Sequence, residues 1–148
     1  MGFLVKIRTF IICDDIRSEI GGKHSLIGVY KDRIIFPSGM EQKNNWPKAI
    51  KIGFYVEVEI DKKLPASFVF KRIESNDESE ILKGDINISK DSKIIRMTLL
   101  HPAFIFKKSG VMRFIFEFYD KTGKKICTVS PEIDFNIEEM SSEQIKKL

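Results

Sequence analysis

Residues 50–60 read Ile-Lys-Ile-Gly-Phe-Tyr-Val-Glu-Val-Glu-Ile. Ile50, Ile52, Phe54, Val56, Val58 and Ile60 fall on one side of an extended chain, and Lys51, Gly53, Tyr55, Glu57 and Glu59 on the other. A strict period of two marks a half-buried strand. A helix would scatter the same apolar residues around its circumference. Residues 111–120 repeat the pattern: Met112, Phe114, Phe116 and Phe118 are expected to point inward, and Arg113, Glu117 and Asp120 outward.

Working outward from these two segments, most of the chain reads as strand. A first strand is expected over about 3–13, with Phe3, Val5, Ile7, Thr9, Ile11 and Cys13 sharing a face against Lys6 and Arg8. Gly21-Gly22 suits the positive φ values of a tight turn. The returning strand covers 23–30, where Gly28 signals a bulge or a close backbone approach. A short strand at 33–36 ends at Pro37, and residues 38–47 form the longest expected loop, closed by Trp46-Pro47. Further strands are expected at about 67–74, 80–88, 93–100 and 124–136, the last an edge or kinked strand because Pro131 lacks a ladder donor. Ser141-Ser142 before Glu143-Gln144-Ile145-Lys146 reads as one capped helical turn.

Eight or nine short strands with no crossover helix predict an all-β protein, a two-sheet antiparallel β-sandwich of the immunoglobulin-like or C2-like kind. The domain is expected to span residues 1–137, with 138–148 a mobile or short helical tail. The 148 residues suit one domain that needs no disulfide or metal staple. Hydrophobic residues at 43% and charged residues at 31% are those of a soluble globular chain. Twelve Phe supply much of the expected core, so packing alone accounts for the aromatics.

The net charge of +4 is weak evidence for an acidic partner. Lys62-Lys63, Lys107-Lys108, Lys124-Lys125 and Lys146-Lys147 are scattered pairs that read as a solvated surface or as protection of sheet edges. Lys6 and Arg8 interrupt the N-terminal apolar run, which rules against a signal-peptide core, and no apolar stretch reaches the roughly 20 residues of a membrane helix. Cys13 and Cys127 form no metal spacing and fall on apolar strand faces, which suits free thiols in the reducing cytoplasm.

Cys13-Asp14-Asp15-Ile16-Arg17-Ser18-Glu19, followed by Gly22-Lys23-His24-Ser25-Leu26-Ile27-Gly28-Val29-Tyr30, resembles the opening block of a family of small bacterial proteins of unknown function. The segment from Gly110 to Asp120, with Gly123, is similar to that family's closing hairpin. The resemblance implies a β-sandwich and carries no activity or catalytic residues.

Asp14, Asp15 and Glu19 are the best candidate metal ligands, since adjacent carboxylates at a strand end could contribute to an oxygen-rich Ca²⁺ site. The competing reading is that Asp14 and Asp15 cap a turn and pair with Arg17 or Lys23. His24 and His101 belong to no metal motif, and no nucleophile elbow, phosphate loop or zinc-protease motif is present. Cys13, beside two carboxylates, is a poor thiolate. Trp46, with Phe36 and Tyr55, is either an exposed aromatic contact or a lid on the core.

The expectation is therefore a non-enzymatic module without cofactor that binds an unidentified protein through the regions 14–23 and 37–48, with Asp14, Asp15, Lys23, His24 and Trp46 as contact residues. A homo-oligomer formed through edge strands is a variant of this reading. The alternatives are a Ca²⁺-responsive C2-like domain engaging a membrane or partner, and, less favoured, a nucleic-acid-binding domain.

Overall fold

The computed structural model describes residues 5–38, 46–62, 64–89 and 91–148. Phe3, most of the expected 38–47 loop, Lys63 and Lys90 lie outside the described residues. The described chain forms β1 (Val5–Ser18), β2 (His24–Tyr30), β3 (Arg33–Pro37), β4 (Lys48–Ile60), β5 (Ser67–Glu74), β6 (Asp77–Asp85), β7 (Ile94–Phe106), β8 (Gly110–Tyr119), β9 (Lys125–Val129), β10 (Phe135–Met140) and a single turn, α1 (Ser142–Lys146). One sheet has the order β2-β1-β4-β7; the other is β3-β10-β8-β5-β6, with β9 also paired to β8. The fold is an all-β sandwich.

Residues 50–60 lie in β4, at the middle of the four-stranded sheet, and Ile52, Phe54, Val56, Val58 and Ile60 are all buried. Met112, Phe114, Phe116 and Phe118 of β8 come from the opposite sheet and are buried against them. Among the described residues, ten of the eleven Phe are buried. Phe70 is the hub of the aromatic cluster: its ring lies 4.4 Å from Phe116, 4.9 Å from Phe54 and 5.6 Å from Phe114. Close-packed rings of this kind give an interior of crystal-like density.

The expected face of β1 needs correction. A bulge between Ile7 and Thr9 makes Arg8 an extra residue against β4. Beyond it the alternation inverts: Phe10 and Ile12 turn to the core, and Thr9, Ile11 and Cys13 turn away, with Ile12 opposite Phe54 and Cys13 opposite Gly53. A bulge places two residues against one and so re-aims every side chain after it.

Three other boundaries differ from the expectation. β1 runs on to Ser18 because β2 pairs with Ile12–Ser18. β7 continues through His101-Pro102 to Phe106, since it is an edge strand and Pro102 falls at a shift in register against β4. The expected strand at 124–136 is two strands, β9 and β10, both on the same side of β8. Between them Ser130 Oγ donates to the Phe114 carbonyl at 3.0 Å, which satisfies the acceptor left by the missing ladder. The sheets are not purely antiparallel, because β3 and β10 pair in parallel.

Candidate interaction surface

Gly28 has φ +66, in the left-handed region that favours glycine, and a Cβ there would overlap the Asp14 carboxylate. That carboxylate accepts the hydrogen bond of the Tyr30 hydroxyl. Partial burial, and then the Asp14 hydrogen bond, push the Tyr30 phenol above its usual range.

Past Gly28 the β1–β2 hairpin doubles back onto the outer face of its own sheet. His24 pairs with Ser18, and Tyr55 with Ile11. Seven residues of straight strand separate these two rows by roughly 23 Å. The His24 and Tyr55 rings are nonetheless 6.0 Å apart. Under the folded hairpin a Cβ at Gly53 would come within 3.1 Å of Ile16 Cγ1 and Leu100 Cδ2 and 3.2 Å of Cys13 Sγ. Cys13 is fully buried there. Burial first, and the Asp14 carboxylate second, raise its thiol pKa and keep it protonated.

The expected contact residues are thereby dispersed. Asp15 is paired with Lys51 at 2.9 Å and Arg17 at 3.9 Å, and the Lys51 hydrogen bond holds its carboxyl below the usual range. Asp14 faces Tyr30 instead, so the two neighbouring carboxylates do not converge. Glu19 accepts a hydrogen bond from Ser25 at 3.1 Å. Among the described residues no three His, Cys, Asp or Glu side chains form a group that could hold a metal ion. Lys23 is exposed at the hairpin tip, its carbonyl accepting the Glu19 N–H at 2.8 Å. His24 lies on Tyr55, and its Nδ1 has no hydrogen-bond partner among the described residues.

Trp46 occupies a different place, the end of the core between the sheets. Its ring packs edge-on against Phe36 at 5.6 Å, and its Nε1 donates to Glu139 Oε2 at 3.2 Å. Lys48 Nζ lies 5.2 Å from the indole centroid and 3.9 Å from Glu139 Oε1. The indole is thus engaged by Phe36, Lys48 and Glu139 of the protein itself. Trp46→Ala should lower stability by about 2 kcal/mol, less than a full core truncation because the ring is half-exposed. A thermal melt reads this directly; an unchanged melting point would return Trp46 to the class of free surface contacts.

The surface that is left open along β1 is not among the expected contact regions. β2 pairs with β1 only from Ile12 onward, while β4 covers the other side of β1 from Val5 to Cys13. Val5–Ile11 therefore have no hydrogen-bonded strand on their second side among the described residues, where β9 comes close to β1 without pairing with it. They face a cleft of about 730 Å³ lined by Val5–Phe10 of β1 and by Thr128, Val129, Ser130, Pro131, Glu132 and Ile133. The β2–β1 register, which sets Tyr30 opposite Ile12, decides which residues of β1 are left without β2.

Three of the outermost strands, β7, β6 and β3, are blunted by comparison. In β7, Pro102 lacks a donor, His101 Nδ1 accepts the Ala103 N–H at 3.2 Å, and Arg72 donates to the Ile105 carbonyl. β6 carries Asp77, Glu78, Glu80, Lys83 and Asp85. β3 is five residues long and ends in Pro37. No helix among the described residues is long and apolar enough to cross a membrane. The sequence matches no protein-family model and no curated protein.

Proposed function

We propose that this chain is a non-enzymatic protein-binding module that takes an extended segment of its partner as an added strand beside β1. The observation that carries the reading is the one-sided pairing of Val5–Ile11 along an open cleft. Half of the backbone N–H and C=O groups of such a strand point away from its only neighbour, and an incoming segment satisfies them while its side chains enter the cleft on alternate positions. Burial of Cys13 and partial burial of Cys127 as free thiols support a reducing, cytoplasmic setting.

Selection of random peptides displayed on phage, followed by amide hydrogen exchange of the protein with the enriched peptide, tests the reading. The expected result is slowed exchange within Val5–Ile11. Protection confined to Trp46–Lys48 or to the β1–β2 hairpin would assign binding to another surface, and a library that yields no binder would remove strand addition.

A further inference from the structure

We infer that the segment received beside β1 alternates apolar and acidic residues. The inference rests on the strand-addition reading and adds the chemistry of the partner. β1 presents two different faces to a neighbouring strand. On the inner side Ile7 and Phe10 pack against the core, and Val129 continues this apolar wall across the cleft. On the outer side stand Lys6 and Arg8, both exposed.

Lys6 and Arg8 lack carboxylate partners within ion-pair distance among the described residues. Glu59 lies opposite Lys6 in register, but on the β4 side of β1; Glu57 is turned to Arg96 at 3.7 Å. The second side of both cations is the open one. An added strand sets its own side chains directly beside those of β1, apolar next to apolar and outward residue next to outward residue. Acidic residues at the outward positions meet Lys6 and Arg8. Glu132, the one carboxylate in the cleft lining, leaves the lining with two cations against one anion.

The same charges select against a second copy of this chain. Antiparallel pairing of two β1 edges about their centre brings Lys6 and Arg8 of one copy close to those of the other, and like charges across neighbouring strands repel.

Three labelled octapeptides test the inference by fluorescence anisotropy at low salt: valine alternating with glutamate, with lysine and with serine. Hydrogen exchange reads the site of binding, and sedimentation of the protein alone reads self-association. The expected result is that the glutamate peptide binds on the order of tenfold more tightly than the serine peptide, and the lysine peptide more weakly than either. The difference should narrow as salt is raised. The double variant Lys6→Glu/Arg8→Glu, with its fold checked by circular dichroism, should reverse the order. Equal binding of all three with Val5–Ile11 protected overturns the acidic preference and leaves strand addition standing. Absence of protection at Val5–Ile11 with every peptide overturns both. Dimerisation that protects Val5–Ile11 makes a second copy the occupant and overturns the inference.

Discussion

Replacing Phe70 with alanine should cost about 3–5 kcal/mol, the range for truncating a fully buried aromatic ring. Phe70 is completely buried and stacks on Phe116 with ring planes 14° apart. It meets Phe54 edge-on at 77° from the other sheet, so its ring joins the two layers. Its neighbours are anchored in regular ladders: Phe70 pairs with Phe116 across β5 and β8, and Phe54 pairs with Leu99 and Ile12. Strands held on both sides cannot close over a missing ring, and the cavity term adds to the lost transfer free energy. A domain of ordinary stability has roughly 5–15 kcal/mol in total. Phe70→Ala should therefore lower the urea midpoint by about 2 M at unchanged slope. Phe70→Leu, which keeps most of the volume, should recover over half of the loss. A Phe70→Ala loss below about 1 kcal/mol would mean that the ring is not at a packed centre.

Glu117→Gln should destabilise the protein by about 1–3 kcal/mol at pH 7, and the deficit should shrink in acid. Glu117 is 6% exposed, although it points to the outer face of its sheet. Lys125 Nζ lies 2.6 Å from Oε2, Lys71 Nζ lies 2.8 Å from Oε1, and the Tyr119 hydroxyl donates to Oε1 at 3.2 Å. The Lys125 and Lys71 hydrogen bonds together pull its carboxyl from 4.5 down to about 2. A folded-state pKa below the unfolded one gives stability that is present above about pH 4.5 and is lost as pH falls through about 2. The wild-type and Glu117→Gln midpoints should accordingly converge between these limits. Both lysines are shifted upward by the same contacts, so they stay charged throughout the acid range. Lys71 also holds Glu78 at 2.8 Å, which leaves it partnered in the variant and keeps the expected loss within a few kcal/mol. Urea titrations at pH 7, 4.5 and 3 measure the gap; a gap independent of pH would show that the charge on Glu117 does not contribute.

Glu117 also marks where alternation stops being informative. Its side of β8 follows from a period of two, but its burial does not. Burial comes from Lys71 on β5 and Lys125 on β9, strands that neighbour β8 only once the sheet is assembled. Aliphatic stems of long lysines cover a carboxylate that a pattern of polar and apolar letters assigns to solvent.

The sequence alone determined the class of the fold and the centre of its core. Residues 50–60 and 111–120 bury the side chains that a period of two selects, because that period is a property of the extended backbone itself. Gly21, Gly22 and Gly28 adopt the positive φ values that turns and a close approach require. Ser141 and Gln144 form the reciprocal cap expected of the terminal turn. Tertiary structure decided what depends on which strands become neighbours. The bulge at Arg8 inverts the rest of β1, since one extra residue against β4 changes the face of everything after it. The folded hairpin disperses Asp14, Asp15 and His24, and the end of the core takes Trp46. The open side of Val5–Ile11 exists because β2 stops opposite Ile12, a matter of register between distant backbone groups. Every residue but proline carries the same backbone donor and acceptor, so which amides are left unpaired is decided only when the sheets close.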